Sequence, residues 1–399
     1  MRYAFGFTLW AVLIQLLSSC ESVPAVKSAT EPGSGVPGLL HDNLFVSSAA
    51  IPEPSAIHTL SSQQQVDFLN YFHDHRRSHL KPHQRVYNYL DNVTDGFSYD
   101  KATLTASRAM VEGEGNCLTL AILTTALAEL VGVEVEYQLV ETDPVYLVSE
   151  TTLVRGVHIR SKLIDVDSHA RPGEFLLSRG GTIVDYFPSG RERFVSNVKF
   201  QNYVSRFYQN LAAEALDLKN TDQAYELVKQ ALLADPQSEE AWNLLAVVYR
   251  RAGHEELAEE VYRLGLAQFD SPLSILTNYR LLLTAQGRTA EAQQLLTRLE
   301  TYDSLSPHIW YLAGMGALEA GQIDDSVRLL QRALQLAPFS DRVHFALARA
   351  YIARGDHEQS LRYLASASEV SARPSARNLY QQKYQNLASH YRKEPTTSP

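Results

Sequence analysis

Four glycines in the second half of the chain, Gly253, Gly287, Gly321 and Gly355, stand 34 residues apart each time. Other positions keep the same step: Trp242 and Trp310 are two periods apart, and Ala224, Ala258, Ala292, Ser326 and Ser360 are one period apart. Ala231, Gly265, Leu299, Ala333 and Ala367 do likewise, while Pro236 and Pro338 close two of the units. A fixed period of this length forces the chain into a stack of like units, because one unit cannot bury its apolar face alone and neighbours must share a core. The residue types identify the unit. Glycine ends a first helix in the left-handed conformation, small residues let two helices approach closely, and proline stops the second helix. Five such helix–turn–helix units fit between about 205 and 373, and a further helix over 374–392 carries Tyr380, Tyr384, Leu387 and Tyr391 on one face, as a cap requires. Unit three is the least regular, with Arg280 where a small residue is expected.

This 34-residue unit, with an early aromatic, a small residue in the middle and a late proline, resembles the tetratricopeptide repeat. The resemblance implies an all-α solenoid whose first helices line a concave groove for extended peptides or amphipathic helices. In that register the groove is lined by Asn243, Leu281, Tyr311, Met315, Arg342, Phe345 and Arg349, which become more apolar toward the C-terminus. The competing occupant is the chain's own C-terminal helix, with its tyrosine and leucine face.

The first residues, MRYAFGFTLWAVLIQLLSSC, combine one arginine, a short apolar run and Leu17-Ser18-Ser19-Cys20. The run is too short to span a bilayer and has the form of a secretory signal peptide over 1–20. Its last four residues resemble the bacterial lipobox, which implies acylation of Cys20 and a lipid anchor facing the periplasm. Glu21, rather than aspartate, favours the outer membrane. Residues 21–54, rich in proline, serine, glycine and alanine, read as a flexible tether.

Only two cysteines occur, so acylating Cys20 leaves Cys117 as the sole thiol. That excludes an internal disulfide, a cysteine zinc cluster and an iron–sulfur centre. A net charge of -9 without a basic run gives no support for nucleic-acid binding. Neither a phosphate-cradling glycine loop nor an HExxH motif is present, and no metal or cofactor is implied.

Residues 55–200 predict an α+β domain. Helical periodicity appears near 62–75 and 83–93, with further helices over 103–111 and 117–131, before strand-like runs at 133–141, 152–164 and 182–187. Cys117 opens the 117–131 helix after Gly113-Glu114-Gly115-Asn116. There the free N–H groups and the helix dipole favour a thiolate and can receive an oxyanion. A thiolate nucleophile also needs a histidine as proton partner and a group to orient it. The 152–164 run carries His158, and the 182–187 run carries Asp185. Helix-borne cysteine, strand-borne histidine and strand-borne aspartate, in the order of TASRAMVEGEGNCLTLAILTTALAELVGVEVEYQLV, GVHIRS and TIVDYF, resemble the transglutaminase-like superfamily. This implies a papain-type Cys117–His158–Asp185 triad. Asp165, Asp167 and His169 stand in the 27-residue gap between His158 and Asp185 as rivals.

The fold expected is therefore an α+β transglutaminase-like cysteine-hydrolase domain, then an all-α tetratricopeptide-repeat solenoid. The function expected is a membrane-anchored hydrolase of peptidase or amidase type acting on an envelope protein recruited by the repeats. Two alternatives accompany it: an inactive adaptor that binds envelope proteins through the repeats, and a protein-glutamine acyltransferase.

Overall fold

The computed structural model of the protein describes residues 36–46, 51–99, 102–149, 152–167, 179–185, 193–302, 307–371 and 374–391. Cys20 and the signal peptide lie outside them, as does His169. The N-terminal domain opens with α1 (Pro54–Ile57), α2 (Ser62–Phe72) and α3 (Pro82–Val93), then a two-residue strand β1 (Ser98–Tyr99). Helix α4 (Ala106–Glu112), strand β2 (Glu114–Gly115), which pairs in parallel with β1, and helix α5 (Cys117–Leu130) follow. Strands β3 (Val135–Ser149), β4 (Thr152–Ile164), β5 (Gly181–Val184) and β6 (Arg193–Val198) form one antiparallel sheet in the order β5-β4-β3-β6.

Helix α5 is buried almost throughout from Leu118 to Ala128. It has no polar face to offer solvent, as expected of a core helix. Its threonines satisfy their hydroxyls locally: Thr124 and Thr125 each donate to the carbonyl four residues back at 2.8 Å. The Thr125 hydroxyl also lies 3.1 Å from that of Tyr137, which pins α5 to the sheet.

Five helix pairs follow: α6 (Phe200–Asp217) with α7 (Thr221–Ala234), α8 (Glu239–Arg251) with α9 (Glu255–Gln268), α10 (Leu273–Ala285) with α11 (Thr289–Glu300), α12 (Pro307–Glu319) with α13 (Ile323–Leu336), and α14 (Asp341–Arg354) with α15 (His357–Val370). Helix α16 (Pro374–Tyr391) packs on α15. Each repeated glycine takes the left-handed conformation that ends the first helix of its pair, with φ of +87°, +74°, +73° and +83°.

The irregular third unit has a physical explanation. Ala212, Ala246, Arg280, Gly314 and Ala348 occupy equivalent places, so the arginine and the glycine are neighbours in one column. Arg280 is buried and donates to the Ala313 carbonyl at 2.6 Å, and burial pushes its guanidinium down to about 10. Space for it comes from α12, where a β-carbon on Gly316 would stand 2.7 Å from Leu281 and 3.4 Å from the Arg280 guanidinium.

The expectation of a flexible tether over 21–54 is corrected for residues 36–46. Val36 and Leu39 are buried, and the segment straps across the first two repeats. One continuous buried cluster runs from Val36 through the α+β domain to Ala292, and a second spans Leu276 to Tyr351. The packing seam thus falls within the third repeat, not between the α+β domain and the solenoid.

Between repeats, Arg288 donates to both carboxylate oxygens of Glu259, at 2.5 and 2.9 Å, and to Glu291 at 2.7 Å. The Arg288 hydrogen bonds hold both carboxyls below their usual 4.5. A carboxyl lowered in the folded state stabilises above its unfolded value, and that stabilisation is lost as pH falls through the folded one. Resistance to urea is therefore expected to decline on acidification below pH 4.5, and Glu259→Gln should flatten that decline. Urea midpoints measured across the acid range check this.

Candidate functional site

The turn that presents Cys117 is held from several sides. Asn116 caps α5 by accepting from the Thr119 amide at 2.9 Å, and its amide nitrogen donates to the Thr103 hydroxyl at 2.8 Å. Thr119 in turn accepts from the Leu104 amide at 2.9 Å. Gly115 lies at φ +152°, and a β-carbon there would fall 2.4 Å from the Thr119 methyl. Cys117 itself is half-buried at the first position of the helix. Sequence reasoning missed Glu214 of α6, whose carboxylate accepts from the Thr103 amide at 3.1 Å and so ties the first repeat to this turn.

The other triad candidates are placed as follows. His158 lies on β4 opposite Val140 of β3, and its side chain is outside the described part of the structure. The strand expected over 182–187 ends at Val184 among the described residues, so Asp185 follows β5 rather than lying within it. Its carboxylate stands 3.9 Å from the Arg160 guanidinium, which donates to Gln138 at 2.9 Å. Asp165 accepts from Lys81 at 2.5 Å, and Asp167 stands 3.3 Å from the same amine. The Lys81 hydrogen bond lowers the Asp165 carboxyl.

The first helices of the repeats carry the proposed groove residues, and the structure divides them. Asn243 is fully buried, with its side-chain oxygen accepting from Asn278 at 2.7 Å, so it is corrected from groove wall to inter-repeat clamp. Strand β4 packs against α8 and α10, the first helices of repeats two and three. Further along, Leu281, Tyr311 and Met315 are half-buried, and Arg342 and Arg349 are exposed. Phe345 is covered by the chain itself: Tyr380 of α16, only 4% exposed, stands 5.0 Å from it between ring centroids, and the Lys383 amine lies 5.8 Å from the centroid of the Phe345 ring. Among the described groove candidates, Tyr311 and Met315 of α12 thus stay half-buried, and Arg342 and Arg349 of α14 exposed. Among the described residues, no group of three or more histidine, cysteine, aspartate or glutamate side chains is placed to hold a metal ion.

A solenoid of such paired helices has the architecture of tetratricopeptide repeats, and family profiles described as "Tetratricopeptide repeat" match residues 215–273 and 317–383, and 281–340. Among curated proteins, the chain is 33% identical over 133 residues to the type IV pilus assembly protein PilF of Pseudomonas aeruginosa strain PAO1. That alignment covers 33% of this chain and 52% of PilF, so the chain spans about half the length of the curated relative it matches. Similar solved structures include Pseudomonas aeruginosa PilF, at 24% identity and TM-score 0.38, covering 48% of this chain and 90% of that one. Another is PilW, a type IV pilus biogenesis factor, at 20% identity and TM-score 0.37, covering 48% and 95%.

Proposed function

We propose that this protein is an envelope adaptor, anchored through acylated Cys20, whose repeats hold a segment of another envelope protein on the face of α12 and α14. The observation that carries the reading is the combination of half-buried Tyr311 and Met315 with exposed Arg342 and Arg349. Partly buried apolar side chains supply contact area, and the arginines select a segment bearing carboxylates. The resemblance to a pilus assembly protein supports a partner among components of a cell-envelope assembly, and Glu21 after Cys20 favours anchoring at the outer membrane.

A second reading is retained because Cys117 occupies the first turn of α5 on a turn braced by Asn116, Thr119 and Glu214. In it, Cys117 attacks an amide carbonyl carbon, the C–N bond breaks, His158 passes the thiol proton to the departing amine, and Asp185, which also faces Arg160, orients the imidazole. Water or an amine then releases the acyl group, giving hydrolysis or glutamine acyl transfer.

One experiment separates the readings. Wild type, Cys117→Ala and a Met315→Glu/Arg349→Glu variant are used to recover partners from envelope extracts, and the recovered partner's affinity is then measured. The adaptor reading expects Cys117→Ala to match wild type with no processed product in either, and the groove variant to bind roughly 10- to 100-fold more weakly. A product that disappears with Cys117→Ala makes the protein an enzyme, and unchanged affinity in the groove variant removes the proposed surface.

A further inference from the structure

Residues 36–46 occupy a cleft on the first two repeats with the kind of contacts a bound peptide makes. Three contacts read main chain: the Tyr249 hydroxyl donates to the Leu39 carbonyl at 2.6 Å and accepts from the His41 amide at 3.2 Å, and Asp222 accepts from the Val46 amide at 3.0 Å. Two side chains of the strap are read as well. Asp42 receives the Tyr225 hydroxyl at 2.9 Å and the Lys229 amine at 2.7 Å, and Phe45 stacks on Tyr225 with centroids 4.0 Å apart and planes 8° apart. Tyr249 and His254 complete the aromatic wall around Phe45.

The receiving groups belong to α7, α8 and the turn before α9, nearly two hundred residues away in the chain. With the strap seated, Tyr225 and Tyr249 are fully buried, and both hydroxyls find their polar partners on it. The strap is held unevenly. Val36 and Leu39 are buried, whereas Asp42, Asn43, Leu44 and Val46 remain exposed, so its second half can leave the cleft without uncovering the buried anchors.

We propose that this cleft is a docking site for extended polypeptide segments carrying a carboxylate three residues before an aromatic ring, with residues 36–46 as its resident, exchangeable ligand. This surface is separate from the face of α12 and α14, and it does not depend on what that face binds. A partner with the same spacing gains access by displacing the strap, and the strap's tethering sets the threshold. A covalently linked ligand acts at an effective concentration of about millimolar, so only a tighter or locally concentrated segment replaces it.

The test uses the full-length chain in detergent and a fluorescent peptide of residues 36–46, followed by polarisation. The peptide is expected to bind a chain carrying Asp42→Ala and Phe45→Ala at least ~10-fold more tightly than wild type, whose own strap fills the cleft. Adding Lys229→Glu to that chain should abolish the gain, and a peptide with Asp42→Lys should recover it on the Lys229→Glu chain. Equal binding to wild type and strap variant, no binding to the strap variant, or indifference to Lys229→Glu overturns the proposal. Circular dichroism verifies that the double variant is folded. Should it not fold, Asp42→Lys alone, at an exposed position, takes its place in the same comparison.

Discussion

Replacing Tyr203 by alanine is expected to destabilise the molecule by about 3–5 kcal/mol, the range for truncating a buried aromatic side chain. Tyr203 is fully buried on α6, and its ring stacks on Tyr137 of β3 with centroids 4.5 Å apart, Phe200 lying beside both. It stands where the sheet meets the first repeat, inside the cluster that runs without a break from Val36 to Ala292. The loss should therefore lower the unfolding temperature of both parts together. Thermal unfolding followed by circular dichroism and by fluorescence of Trp242 and Trp310 checks this, since those residues belong to the first and second clusters. Tyr203→Phe keeps the ring and should retain most of the stability. Two transitions of which only one moves would mean that the α+β domain and the solenoid unfold independently.

Gly115→Ala is expected to be the second most damaging change, at about 2–5 kcal/mol, from backbone strain added to overpacking. The residue sits at φ +152°, and the new methyl would lie 2.4 and 2.7 Å from the Thr119 methyl and β-carbons. Thr119 cannot easily swing away, because its hydroxyl serves the Leu104 amide and its own amide is capped by Asn116. Relief must come from the turn itself, so the Cys117 thiol should change its rate of alkylation along with the drop in stability. A variant that unfolds at the wild-type denaturant midpoint would show that the turn has slack.

The repeats were legible because their determinants are local: a glycine, a small residue and a proline each act within one turn of the place where they stand. The start of α5 was legible for the same reason, since Asn116 caps it and Gly115 precedes it. Asn243 was misplaced because a 34-residue register fixes which face a residue occupies but not which neighbour reaches it. The partner, Asn278, arrives from the next repeat. Arg280 could be flagged as irregular, but its accommodation depends on Gly316, one repeat away. The strap escaped notice because Pro37, Gly38 and the surrounding serines and glycines have the composition of a linker. The apolar and acidic pattern Leu39-Leu40-His41-Asp42-Asn43-Leu44-Phe45 becomes meaningful only beside Tyr225 and Tyr249. Ile183, Val184 and Tyr186 give Asp185 the surroundings of a strand residue, yet β5 pairs with β4 only as far as Val184.

Under the proposed anchoring through Cys20, the seated strap also sets how far the molecule would stand from a bilayer. Were the whole stretch to Pro54 free, a lipid on Cys20 would let the protein roam over more than 100 Å, at about 3.3–3.6 Å per fully extended residue. With Val36 buried on the first repeats, 16 residue steps lead back to Cys20, a reach of at most about 58 Å. Vacating the cleft would lengthen the mooring and free the solenoid to turn away from the membrane. Occupancy of one small aromatic cleft would then govern both altitude and heading of the binding face.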